Sequence, residues 1–92
     1  MVERSVSVVN RLGLHARAAA RLVRTASAFQ SALRLERSDS SASADAKSIL
    51  SVLMLAAARG TELLVSAEGP DEVAALEAVY ALIAGGFGED EE

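Results

Sequence analysis

The chain has 92 residues, enough for one hydrophobic core and too few for a substrate cleft between two domains, so residues 1–92 are expected to form a single domain that carries, binds or regulates. Hydrophobic residues make up 51% of the chain, aromatics only 3%, and cysteine is absent; the expected core is aliphatic, and disulfides, thiolate catalysis and zinc knuckles are excluded. The net charge of −4 argues against a general nucleic-acid role, yet within residues 1–37 seven arginines face only Glu3 and Glu36, so a basic first part precedes an acidic remainder.

Val2, Val6 and Val8 alternate with polar residues, which predicts a first strand over residues 2–9, followed by a loop at Asn10-Arg11-Leu12-Gly13. From Ala16 to about Ala28, Ala19, Leu22, Val23 and Ala26 fall at helical spacing, with Arg17, Arg21 and Arg24 on another face. Leu33 and Leu35 mark a second strand, Ser38-Asp39-Ser40-Ser41 a turn, and residues 42–46 a weak third strand. Ser48 caps a second helix expected to run to about Ala58 and to be closed by Gly60, and Leu63, Val65 and Ala67 alternate as a fourth strand. Gly69-Pro70-Asp71-Glu72 opens a last helix whose buried stripe is expected at Val73, Leu76, Tyr80 and Ile83. Residues 87–92 are expected to be a solvated, flexible acidic tail. The order βαββαβα predicts an α+β fold: a four-stranded antiparallel sheet with three helices on one face. No apolar leader opens the chain and the longest apolar stretch, near residues 49–58, is too short to span a bilayer, so the expected location is cytoplasmic without membrane insertion.

His15 is the single histidine, which leaves no histidine cluster for a metal, and no cofactor is expected. It stands where a loop becomes a helix, facing unpaired backbone N–H groups and the positive end of the helix dipole, a seat suited to a phosphate. The ring's unprotonated nitrogen carries a lone pair able to attack phosphorus, and the planar fork of Arg17 suits phosphoryl oxygens. An isolated His-x-Arg is weak by itself, since a histidine at such a place is often only a cap or a surface residue.

Gly13-Leu14-His15-Ala16-Arg17, together with Leu22-Val23-Arg24-Thr25-Ala26-Ser27, Ala46-Lys47-Ser48-Ile49, Leu53-Met54-Leu55 and Ala58-Arg59-Gly60, resembles in order and spacing the HPr family, the histidine phosphocarriers of the bacterial phosphoenolpyruvate-dependent phosphotransferase system. The resemblance spans nearly the whole chain and implies an HPr-like open-faced β-sandwich. It further implies that His15 takes phosphate from Enzyme I on Nδ1 and passes it to an enzyme IIA domain, with Arg17 steadying the phosphoryl group, so that the chain is a stoichiometric carrier and not an enzyme. Where the family usually has proline, this sequence has Ala18, which restores a backbone N–H in the first helical turn. Alanine favours helix, so tuning and not loss is expected.

Ile49, Leu50, Val52, Leu53, Met54 and Leu55 surround the second helix on too many faces to be buried together. Val52 and Met54 are expected inward, while the resemblance implies that Ile49, Leu50 and Leu53, flanked by Arg21 and Arg24, dock partners. Ser48 matches the serine that a dedicated kinase, an HPr kinase/phosphorylase, modifies in some members; a plain helix cap is the simpler role. Leu53-Met54-Leu55, Gly69-Pro70 and residues 86–90 look closer to the nitrogen-related branch, Lys47-Ser48-Ile49 to the sugar branch. The competing class is a regulatory domain binding an anion or a protein without phosphotransfer.

Overall fold

Alternation along the chain resolves into four strands because every second residue faces a common interior. A computed structural model describes residues 1–89. The strands are β1 (Val2–Ser7), β2 (Ala32–Arg37), β3 (Ser43–Asp45) and β4 (Glu62–Glu68); the helices are α1 (Ala16–Ser27), α2 (Ile49–Met54) and α3 (Glu72–Ala84). The strands form one antiparallel sheet in the order β1-β4-β2-β3, and the registers Val6↔Leu63 and Leu35↔Val65 bring inward residues side by side. Val6, Leu33, Leu35, Ala44, Leu63, Val65 and Ala67 are buried, whereas Glu3, Ser5, Ser7, Arg34, Ser43 and Asp45 between them reach solvent. The three helices therefore cover one face, as expected, and the other is open.

α1 buries Ala18, Ala19, Leu22 and Ala26, so the helix forms with alanine in the proline position and packs that methyl fully inside. In α3 the stripe is Ala75, Leu76, Val79 and Ile83, with Tyr80 half-buried beneath the Arg4 guanidinium at 3.8 Å. Val73, expected in that stripe, is exposed: it lies about 100° around the helix from the stripe's centre, where neither sheet nor α1 covers it. Asp71 ties the start of α3 to the start of β2, accepting hydrogen bonds from the Gln30 and Ser31 N–H groups and from the Ser31 hydroxyl. The chain passes so close there that a Cβ on Gly69 would lie 2.7 Å from the Ser31 Cα.

α2 is shorter than expected. It ends at Met54 because Ala56 adopts φ +51, which turns the chain out of the helix well before Gly60. Within so short a helix Val52 and Leu55 take the inward positions, and Met54, expected in the core, is 73% exposed. Lys47 Nζ donates to the Phe29 carbonyl near the helix start, and Arg37 Nη1 donates to the Leu55 carbonyl at its end.

Residues 87–89 also depart from expectation. After α3 the chain makes a 3-10 turn over Gly86–Gly88 that inserts Phe87 completely into the core, its own φ at +60 and its carbonyl accepting a hydrogen bond from Arg21 Nη1. One buried ring outweighs the solvation of the acids that follow it, so these residues are packed and not a loose tail. The remainder of that expected tail, residues 90–92, lies outside the described residues. Phe87→Ala should lower the unfolding free energy by about 3–5 kcal/mol, the cost of deleting a buried aromatic, as read from urea unfolding curves.

Candidate functional site

Three segments converge on His15. The loop after β1 is fastened by its own backbone: the Gly13 N–H donates to the Asn10 carbonyl at 3.1 Å, and the Leu14 N–H donates to the Ala57 carbonyl at 2.9 Å. Gly13 has φ +66, and a Cβ there would stand 2.6 Å from the Ala57 oxygen, so both conformation and space require glycine. Leu14 is buried as an anchor, and His15 follows as the residue capping α1, with φ −78 and ψ 179.

The two ring nitrogens of His15 meet opposite partners. Nδ1 accepts the backbone N–H of Arg17 at 3.3 Å, as a capping side chain does. A backbone N–H only donates, so Nδ1 presents its lone pair and the ring proton resides on Nε2. Nε2 lies 2.5 Å from Glu89 Oε2, a contact between side chains 74 residues apart in sequence. The other Glu89 oxygen accepts a hydrogen bond from Asn10 Nδ2 at 3.1 Å, and the same amide nitrogen donates to the Gly13 carbonyl at 2.8 Å. Asn10 is wholly buried and joins the loop, the chain end and the ring in one network.

Of the residues singled out in the sequence, His15 and Arg17 line one hollow with Arg21, Leu12, Gly88 and Glu89. Arg24 is exposed one turn further along α1, while Arg21 spends one of its N–H groups on the Phe87 carbonyl. Ile49, Leu50 and Leu53 are exposed on α2, and Leu12 and Met54 add to the exposed apolar surface. The loop leaving α2 borders His15 through Ala56, Ala57 and Ala58. Ser48 caps α2, its hydroxyl accepting the Ser51 N–H at 3.3 Å. Among the described residues no group of three or more His, Cys, Asp or Glu side chains is arranged to hold a metal ion, and no helix is long and apolar enough to cross a membrane.

Glu89 and Asn10 were not legible as site residues. No acid lies close to His15 along the chain, Asn10 reads only as a loop residue, and the acids after residue 88 resemble a solvated end. The available signal was Phe87, a lone aromatic between two glycines, which is the composition of an anchor more than of a tail.

Burial pushes the Glu89 carboxyl up, but hydrogen bonds from His15 and Asn10, helped by the nearby charge of Arg17, outweigh it and hold the group below the usual glutamate range. With its folded value depressed, Glu89 contributes stability that is present above the unfolded value and lost as pH falls through the lower folded one. The chain end should therefore stay anchored at pH about 4.3, the ordinary glutamate midpoint, and detach only in stronger acid. The Asn10 side-chain amide and Phe87 ring signals in an NMR acid titration report that step, and Glu89→Gln should remove it.

Comparison with known proteins agrees with this geometry. Residues 2–85 match the family described as PTS HPr component phosphorylation site. The chain is 45% identical over 91 residues to phosphocarrier protein HPr of Cupriavidus necator, covering 99% of this chain and all of that protein. It is 42% identical to phosphocarrier protein NPr of Escherichia coli, covering 97% and 98% of the two chains. Among solved structures, HPr from Thermoanaerobacter tengcongensis superimposes with a TM-score of 0.91 at 40% identity, over 99% of this chain and all of that one. The sequence motif around His15, the sheet with its three covering helices and these full-length similarities agree: the chain belongs to the HPr family of phosphocarrier proteins of the phosphotransferase system.

Proposed function

We propose that His15 is the phosphoryl acceptor and donor of this chain, taking the group from phosphoenolpyruvate-charged Enzyme I on Nδ1 and delivering it to an enzyme IIA domain in sugar uptake or in nitrogen-type regulation. The observation that carries the proposal is the placement of Nδ1, with its lone pair free of a proton, at the N-terminus of a twelve-residue helix. A phosphoryl group on that nitrogen meets the Arg17 N–H and the positive end of the α1 dipole. Ala18 keeps a backbone N–H in the same turn, where proline would have none. The exposed Arg17 guanidinium reaches into the same hollow and offsets charge spreading over the phosphoryl oxygens.

The site needs a second protein to complete it. The hollow sets His15 beside Arg17 and Arg21, groups suited to holding a phosphoryl group and meeting a partner, which supports a stoichiometric covalent carrier and not an enzyme. Ile49, Leu50 and Leu53, with Arg21 and Arg24, form the docking surface, and the partner complement is an apolar depression ringed by acids. Ser48, at the edge of this surface, is the position where an HPr kinase/phosphorylase would act: phosphate there adds negative charge beside residues that greet acidic partners.

Incubation with phosphoenolpyruvate and a bacterial Enzyme I should add one phosphoryl mass that acid removes and that His15→Ala abolishes. Absence of label with Enzymes I of both the sugar and the nitrogen type, on folded protein, would leave noncovalent anion or protein binding as the function. Leu50→Glu, at a side chain 67% exposed, should leave the fold intact and raise the KM for Enzyme I about 5- to 30-fold, the loss expected of one interface anchor.

A further inference from the structure

We propose that Glu89, braced by Asn10, is a positioning residue that keeps the His15 ring proton on Nε2 and offsets the positive charge the ring gains when Nδ1 takes the phosphoryl group. This inference rests on the reading of His15 as phosphoryl acceptor.

The geometry assigns each atom a task. Glu89 Oε2 stands 2.5 Å from Nε2, and its side chain is only 14% exposed, so few waters compete for the proton between them. The carboxylate cannot swing away freely, because Oε1 is tied to Asn10 Nδ2 and the chain two residues earlier is locked by the buried Phe87 and by the Arg21 bond to its carbonyl. Asn10 in turn is fixed by the Gly13 carbonyl, one residue removed from the site loop's own anchor at Leu14. A neutral imidazole exists as two tautomers, and only the one protonated on Nε2 leaves the Nδ1 lone pair for attack. A charged acceptor on Nε2 selects that tautomer, as carboxylates do behind reactive or metal-bound histidines elsewhere.

The same contact balances the transfer step. The Nδ1 lone pair forms the new N–P bond while the bond from phosphorus to the donor atom of Enzyme I breaks, and that electron pair stays with the donor. No proton has to leave His15. The ring then holds phosphorus on Nδ1 and hydrogen on Nε2 and is a cation, whose charge faces the Glu89 carboxylate. Onward transfer reverses the change: the N–P electron pair returns to Nδ1, and the ring leaves as the same neutral tautomer. The proton remains on Nε2 throughout, so the relay exchanges none with solvent at this histidine.

The ionisable groups that line the hollow, among the described residues, are His15, Arg17, Arg21 and Glu89. A pH dependence removed by substituting Glu89 is read as belonging to the His15–Glu89 contact.

The test compares wild type with Glu89→Gln, Glu89→Ala and Asn10→Ala. Long-range proton–nitrogen NMR on the unphosphorylated protein reads the tautomer without any donor, and rapid-quench phosphorylation by Enzyme I from pH 5.5 to 8.5 reads the rate. In wild type the Nε2–H tautomer should dominate; Glu89→Ala should yield a mixture, with phosphorylation slowed about 10- to 100-fold. Glu89→Gln, which keeps a neutral acceptor, should retain the tautomer yet lose rate, separating orientation from charge. Asn10→Ala is a milder copy of Glu89→Ala, and Glu89 lies outside the strands and helices, so its variants remain informative if the Asn10 variant fails to fold. An unchanged tautomer and rate profile in both Glu89 variants overturns the proposal. A wild-type chain that takes no phosphoryl group overturns the carrier reading itself, a failure told apart because wild type and variants are then equally silent.

Discussion

A four-stranded sheet whose inner face is built of Val, Leu and Ala has to be kept from water by three helices, one of them only six residues long, and where the helices begin and end follows from that demand. Small side chains at Ala18, Ala19, Ala26 and Ala75 let α1 and α3 lie close to the sheet and to each other. With so little cover available, the chain end is recruited as well: Phe87 fills space that three helices leave beside α1. The start of α1 and the residues after Phe87 thereby share one hollow, and a contact between residues 15 and 89 becomes a by-product of covering the sheet.

That shared hollow brings together charges of opposite sign with separate duties. The arginines of α1 and the helix dipole present positive potential outward, the side on which the proposed function has a phosphoryl group and an acidic partner surface arrive. Among the described residues the carboxylate that lines the hollow, Glu89, sits on the far nitrogen of the imidazole, away from Nδ1.

Much of the fold was readable in advance because it rests on local periodicity. β1, β4 and α1 carry clean two- and three-to-four-residue patterns, and the Gly13 turn and the Ser48 cap announce themselves chemically. What escaped notice depended on tertiary choice. Ala56 takes a left-handed backbone that nothing in an alanine signals, so neither the length of α2 nor the exposure of Met54 is written in the local sequence. Val73 belongs to an apolar helix whose neighbours decide which of several apolar faces is covered. His15 and Arg17 were legible as a local motif, whereas Glu89 enters through a contact across 74 residues and Asn10 through a burial that its loop context hid.

The two cations that hold α2 in place set the character of its exposed face. Lys47 grips the Phe29 carbonyl and Arg37 the Leu55 carbonyl, so a helix too short to be stable alone is fixed at both ends to the rest of the molecule. If Ile49, Leu50 and Leu53 dock a partner as proposed, they meet it already ordered, and little conformational entropy is lost on contact. A modest apolar contact then suffices for recognition, and because it is modest it dissolves quickly. For a messenger shuttling between two proteins, brief residence on each is what keeps the traffic moving.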